Sequence, residues 1–308
     1  MSPLRGRARA RGQDRRRDRA RLPRRAPGLR ADLRAAIVGR AAGPLAHDLD
    51  ARWLMAYAAA LGETDPRYYD TVSMDGPMGH PIFPVGYEWP LVVEIRAKAI
   101  EASLVTRSVH ATHDVIVHRA PRAGDRLLTT ARVASVSRHR AGALVVLELR
   151  TVDAAGAPAT TTHFGSIYRG VGVDGETPAA PAPRSVDAGA VRWETRVEVP
   201  ATAAHLYTEG ARIWNPIHTD LAVARAAGLP GLILHGTATL ALAVSRVVAR
   251  DVGGDPRRVR RVSTRFSGMV ALPSAFTVRG RARRGETVSF DAVGDDGRPI
   301  LSEGALQV

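Results

Sequence analysis

The stretch from Tyr207 to Leu242 carries the residues whose types and order could do chemistry. Asn215-Pro216 is followed by His218 and Asp220, and fifteen residues beyond Asp220 the pair His235-Gly236 opens an apolar helical run. An imidazole exchanges protons near neutral pH. A backbone N–H at a helix start has no partner inside the helix and sits at the positive end of its dipole, so the Gly236 amide suits a developing oxyanion. His218 and Gly236 thus place an imidazole and a helix-start amide close in sequence. With no cysteine in the chain, thiolate catalysis, disulfides and Cys-ligated metals are excluded. His110, His113, His118, His139 and His163 share no short spacing and no clustered carboxylates, so no metal site is expected.

The elements that must position these residues come in two similar sets. Gly170 to Ala190 is rich in Gly, Pro and Ala and reads as a linker, dividing the body into residues 40–170 and 191–308, with 171–190 between them. An internal repeat at an offset of 150 relates the halves: Asp65-Pro66 to Asn215-Pro216, Tyr68 to His218, Asp70 to Asp220 and Gly86 to Gly236. Pro121 and Pro273 differ by 152, so the register holds to within a short insertion. Each half shows a helix (Asp50 to Leu61; Thr202 to Arg212), then an irregular stretch and a longer apolar helix (Gly86 to Val105; Gly236 to Ala249). Alternating strands follow: Val109 to Val117, Arg126 to Val136 and Ala143 to Val152, then Arg258 to Phe266, Ala275 to Ala282, Thr287 to Ala292 and Leu301 to Val308. A long helix followed by antiparallel strands is an α+β layout in which the sheet buries one face by wrapping the helix, and the two halves are expected to pack sheet beside sheet.

Charge is concentrated at one end. Residues 1–34 carry thirteen Arg and a net charge of +10 out of +14, leaving +4 for the rest. Lys98 is the sole lysine, a bias that GC-rich coding explains more simply than phosphate contacts, so no specific nucleic-acid partner is expected. The tail lacks the apolar core of a secretory signal and the serines of a transit peptide, and is expected to be a disordered extension. Association of this basic tail with polyanions is a third, weaker idea. The most apolar stretch, Leu229 to Val248, is interrupted by His235 and Arg246, so no membrane association is expected and the chain is placed in the cytoplasm.

The segment Tyr207 to Leu242 resembles the hydratase-2 motif of the MaoC-like dehydratases, hotdog-fold enzymes acting on acyl thioesters. That pattern runs Tyr, a short gap, Gly-Asp-x-Asn-Pro-Leu-His-x-Asp, then about fifteen residues and His-Gly at the start of the central helix. Tyr207, Asn215, Pro216, His218, Asp220, His235 and Gly236 match, and Ile217 replaces Leu. Arg265-Phe266 resembles the first strand after the helix, and residues 50–170 look like the degenerate N-terminal hotdog of double-hotdog hydratases. The resemblance implies a tandem hotdog, an acyl-CoA substrate, no cofactor, and a monomer or homodimer. It also implies roles: His218 in proton transfer, Asn215 orienting it, the Gly236 N–H on the thioester oxygen, and His235 mainly structural. Gly236 fits because a side chain there would block the approach of the acyl group.

At one position the sequence departs from the pattern. The catalytic Asp of the family falls at Ile213, preceded by Ala211-Arg212 instead of Ser-Gly. Loss of one positioned proton-transfer group forfeits a factor of about 10² to 10⁴. An apolar Ile213 beside His218 would also favour the neutral imidazole, a better base than acid. Three acids are candidate substitutes: Glu209 on the preceding helix, Asp220, whose bland role is to cap the next helix, and Glu63, which stands 150 residues before Ile213. For substrate binding, Trp89 and Trp214 are candidates for an acyl channel or for the core, and Phe83, Pro84 and Gly86 would shape an acyl tunnel by analogy. Arg258, Arg260, Arg261 and Arg265 could meet CoA phosphates or form a solvated face. The expected activity is hydration of a 2-enoyl thioester or dehydration of a 3-hydroxyacyl thioester. The altered acid position leaves two alternatives, a catalytically silent acyl-CoA-binding or partner subunit and a His-only thioester hydrolase.

Overall fold

Asp50 accepts a hydrogen bond from the Trp53 amide and so starts helix α1, Ala51–Ala60, whose sequence ARWLMAYAAA is almost all good helix formers. Its counterpart one repeat later is α4, Ala203–Ala211. In the computed structural model, which describes residues 32–73, 76–175, 177 and 188–308, these two helices lie against each other. The Tyr57 and Tyr207 hydroxyls, 150 residues apart, meet at 3.2 Å, so the pseudo-symmetry relating the halves passes between them. Trp53 Nε1 donates to the Gly210 carbonyl at 3.1 Å. A Cβ at Gly210 would lie 2.8 Å from both the Ala56 oxygen and the Ala60 Cβ, so glycine is what lets the helices approach this closely.

The central helices are α2, Pro84–Ala99, and α6, Gly236–Asp251. The expected helix Gly86 to Val105 ends instead at Ile100, whose extended backbone turns its side chain into the core, and a separate turn, α3, follows at Ala102–Val105. A short α5, Leu221–Ala226, precedes α6.

Ten strands form one antiparallel sheet in the order β2 (Ala41–Asp48), β4 (Arg126–His139), β5 (Gly142–Asp153), β6 (Pro158–Arg169), β3 (Ser108–Val117), β9 (Arg261–Phe266), β12 (Pro299–Gln307), β11 (Thr287–Gly294), β10 (Ser274–Arg284) and β8 (Trp193–Val199). Each half supplies five neighbouring strands, and β3 and β9 join them with Val115 opposite Val262, which is the expected arrangement of sheet beside sheet. The fold is the expected α+β tandem hotdog, each half a long helix wrapped by antiparallel strands.

Strand β6 escaped the sequence pattern because its run PATTTHFGSIYR lacks apolar alternation. Its threonines are buried as hydrogen-bond partners instead, Thr160 with the Tyr87 hydroxyl at 2.9 Å and Thr162 donating to Glu88 at 2.7 Å. Strand β1, Asp32–Arg34, pairs in parallel with β7, Gly172–Asp174. The last residues assigned to the tail and the first of the linker are therefore ordered against each other, while residues 1–31 lie outside the described residues.

The seam between the halves carries a buried charge. Asp114 on β3 is 2 % exposed and receives both side donors of Arg261 on β9, at 2.8 and 2.6 Å. Arg261 keeps contact with solvent, so removing Asp114 strands a cation that water can partly rescue. Asp114→Ala should lower stability by about 2 to 3 kcal/mol. A urea unfolding midpoint unchanged by this substitution would show that the pair does not tie the halves.

Candidate active site

The site begins where α4 ends. Arg212 adopts a left-handed backbone (φ 55°), and its guanidinium stacks 4.0 Å over the Trp53 ring. The chain then buries Ile213 in the core and forms a short turn, Pro216–His218, next to α5, whose start is capped by Asp220 through the Ala222 and Val223 amides. The turn points His218 inward to 8 % exposure, with its Nδ1 2.9 Å from the Ile233 carbonyl. A carbonyl only accepts, so Nδ1 carries the proton and Nε2 of the neutral ring keeps a lone pair that no group among the described residues engages. Burial lowers the His218 pKa, with the Ile233 carbonyl opposing.

His235 stacks on His218 with ring centres 3.7 Å apart, and its Nε2 lies 3.3 Å from the Thr208 hydroxyl. Burial first, then the neighbouring His218, pushes its pKa down to about 2, so it is a neutral packing partner. His235 is also the residue before α6. Among the described residues no side chain caps this helix and no acceptor meets the Gly236 amide. A Cβ at Gly236 would stand 3.2 Å from the Phe266 ring.

His218, Asn215, Ile213, His235 and Gly236 share one cavity of about 230 Å³. No described Asp or Glu lines it. The opposite wall comes from the first half: Trp89 and Arg96 of α2, His110 of β3 and Phe164 of β6. Among the described residues no three His, Asp or Glu side chains converge as a metal ion would require, and no helix is long and apolar enough to cross a membrane.

Several expected site residues fall elsewhere. Glu209 is exposed and lines an outer groove with Trp214, which is 65 % exposed; Asn215 lies on the wall common to groove and cavity. Asp220 is occupied as a helix cap, and Glu63 accepts a hydrogen bond from Ser245, so none of the three candidate acids reaches the cavity. Phe83 is fully buried among the rings of Trp53, Tyr57 and Tyr87. Gly86 exists for helix packing, since a Cβ there would lie 2.8 Å from the Ala211 oxygen. Arg265 is exposed and paired with Glu303 at 3.3 Å. The Asn215 side chain makes no hydrogen bond to His218, and the imidazole is oriented by the Ile233 carbonyl instead. Arg96 and His110 were missed as cavity residues. The signal for Arg96 was present: Val85, Trp89, Val92 and Arg96 recur at helical spacing, an apolar stripe that ends in a cation.

Comparison with known proteins agrees with this geometry. Residues 182–293 match the MaoC like domain, and residues 36–162 match the dehydratase domain region of the FAS1-like type. The 3-hydroxyacyl-thioester dehydratase Y of Mycobacterium tuberculosis is 30 % identical over 217 residues, covering 65 % of this chain and 72 % of that one. The peroxisomal multifunctional enzyme type 2 of Drosophila melanogaster is 29 % identical over 196 residues, 61 % of this chain; the match spans only 32 % of that longer enzyme. Among solved structures, a MaoC-like dehydratase from Phytophthora capsici superposes with a TM-score of 0.78 at 21 % identity, covering 88 % of this chain and 95 % of its own.

Buried neutral imidazoles give a pH signature. Burial lowers the pKa of His80 to about 3, His113 to about 4, His47 to about 4 and His235 to about 2, and lowers those of His110 and His218 as well. The unfolded chain takes up protons below pH 6.5 that the folded chain refuses, so this contribution is complete above 6.5 and is lost as pH falls. Each such group contributes a slope of up to about 1.4 kcal/mol per pH unit. Glu88, pushed by burial up to about 8, and Glu63, also raised, oppose the trend but are outnumbered. The urea midpoint should fall clearly between pH 6.5 and 5, and a flat profile would contradict the neutral, buried rings.

Proposed function

The chain belongs to the MaoC-like dehydratase family, and from that premise we propose that it adds water to 2-enoyl-CoA thioesters, or removes it from 3-hydroxyacyl-CoA thioesters, at the cavity holding His218 and the Gly236 amide. The observation that carries this reading is the convergence of a proton-accepting Nε2 and an unpaired helix-start amide on one small cavity. In the hydration direction, His218 Nε2 takes a proton from water as the oxygen adds to C3. The electron pair of the double bond moves onto the thioester oxygen, where the Gly236 N–H stabilises the enolate. The imidazolium then returns its proton to C2, so water is added with no net charge change. A lowered His218 pKa makes that imidazolium a stronger acid for the return of the proton and the neutral ring a weaker base for the first transfer.

With Ile213 at the position of the family Asp, a single imidazole serves both proton transfers. A CoA thioester is the substrate, no cofactor is needed, and the two halves already pair as hotdogs, so a monomer or homodimer in the cytoplasm suffices. The absence of any carboxylate on the cavity wall favours one competing reading, a subunit that binds acyl-CoA without turning it over.

Crotonyl-CoA hydration, followed by loss of the enoyl absorbance, separates the two. His218→Ala should cost about 10² to 10⁴ in kcat/KM. Tight binding of crotonyl-CoA with no turnover by the unmodified protein would establish the silent subunit instead. Ile213→Asp, which restores a carboxylate beside His218, should raise kcat by about 10²-fold or more; a folded variant with an unchanged rate would show that the residue at 213 does not limit the reaction. Gly236→Ala, whose methyl must displace the Phe266 ring, should lower kcat without abolishing folding.

A further inference from the structure

Three side chains that line the cavity carry a buried polar atom without a partner: His235 Nδ1 beside the catalytic motif, and Arg96 Nε and His110 Nε2 in the half that lacks it. The latter two side chains rest on Phe164, His110 stacked at 3.7 Å between ring centres and the Arg96 guanidinium 5.3 Å from the ring. The Phe266 ring, against which Gly236 packs, lies 4.5 Å from the His110 ring. A continuous ladder of flat groups therefore leads from the oxyanion donor to the guanidinium.

Arg96 has only neutral companions. Its Nη2 donates to the Ser166 hydroxyl at 2.7 Å, the Tyr168 hydroxyl faces it, and no described carboxylate pairs with it. Other half-buried arginines, such as Arg261 and Arg279, are paired with an aspartate. A partly buried guanidinium with an orphaned donor costs free energy that a protein retains only where something compensates it. A neutral acyl chain would leave that cost in place, and its methyl end would add apolar contact with a polar atom.

Resting on the hydratase reading of this site, we propose that the acyl group it takes ends in a carboxylate, which the Arg96 guanidinium binds beside the stacked His110 and Phe164 rings. The substrate class is then an ω-carboxy 2-enoyl thioester of short chain. The cavity, about 230 Å³, lies below the roughly 300–1,000 Å³ of ordinary ligand pockets, which favours a short acyl group and leaves no room for a nucleotide. For that reason the guanidinium is assigned to the acyl end and not to the phosphates of CoA.

The test compares two pairs of ligands that differ only at the chain end. Binding of adipyl-CoA and hexanoyl-CoA is measured by calorimetry, and hydration of 2-hexenedioyl-CoA and 2-hexenoyl-CoA is measured by absorbance. A charge-assisted hydrogen bond predicts that adipyl-CoA binds at least about tenfold tighter than hexanoyl-CoA. Arg96→Met should collapse that ratio to about one, while Arg96→Lys, which keeps a cation without the fork, should retain part of it. Ser166→Ala, which removes the structural bond but leaves the guanidinium, should preserve the preference. Equal binding of the two saturated ligands, or a preference that survives Arg96→Met, overturns the proposal; should Arg96→Met fail to fold, the native protein's ratio and Arg96→Lys decide it. A carboxylate preference in binding without hydration of either enoyl thioester supports the subsite and overturns the hydratase reading alone.

Discussion

The hydrogen bond from His218 Nδ1 to the Ile233 carbonyl fixes the rest of the site. It selects one tautomer, aims Nε2 away from the backbone, and ties the imidazole to the segment that three residues later starts α6. The proposed proton carrier and oxyanion donor are thereby held by one short piece of chain, with little freedom to drift apart. The stack of His235 on His218 adds a second constraint, because two imidazoles 3.7 Å apart cannot both carry charge at neutral pH. The turn that presents His218 follows directly from the end of α4, and α4 is held in place by α1 through the Trp53–Gly210 and Tyr57–Tyr207 contacts. The geometry of one imidazole thus depends on the fit of two helices from different halves.

That dependence explains why the chain keeps both copies of its repeat although only one carries the motif. The first half closes the cavity with α2, β3 and β6, whose side chains the second half could not supply from its own strands. Its own equivalent of the site is occupied differently: Tyr68 stands where His218 does, Glu63 where Ile213 does, and the Glu63 carboxyl is engaged by Ser245 from α6, with His80 also in contact with that hydroxyl. The acid retained in the first half therefore serves the interior and is not available across the molecule. On the proposed function, duplication separates two tasks, with reacting groups in one lobe and the acyl-facing wall in the other.

Much of this was legible in the sequence, for identifiable reasons. Asn215, His218, His235 and Gly236 are close in chain order, so local spacing revealed them, and the offset of 150 exposed the paired helices and most strands. Residues brought in by sheet pairing and helix rotation were not legible. His110 looked like one of several scattered strand histidines until β3 was placed against β9 beside Phe266. Phe83 and Gly86 sit at the same helix start as their repeat equivalents, yet the helix there packs on Ala211, so analogy between halves misplaced them. Strand β6 hid because its buried face is made of threonines, whose burial depends on partners such as Tyr87 and Glu88 that no periodicity reveals. Trp214 misled in the opposite direction, a large aromatic left outside by the turn that brings His218 in.

The Ile at position 213 and the cation at position 96 are connected by charge balance. As His218 takes up a proton, the substrate becomes an enolate, so the reacting pair is neutral overall and needs no further anion. A carboxylate at 213 would stabilise the imidazolium but would also repel the enolate across a small, poorly solvated cavity. The remaining fixed charge on the wall is Arg96, and it acts in the reverse sense, disfavouring imidazolium formation and attracting negative charge. With a neutral acyl chain that cation stays uncompensated and opposes the first proton transfer. A substrate carrying its own carboxylate cancels it, which leaves the imidazolium and enolate as the only charges that change during turnover. On this account the site has moved its acid from the protein to the ligand, where it no longer transfers protons but balances the field in which they move.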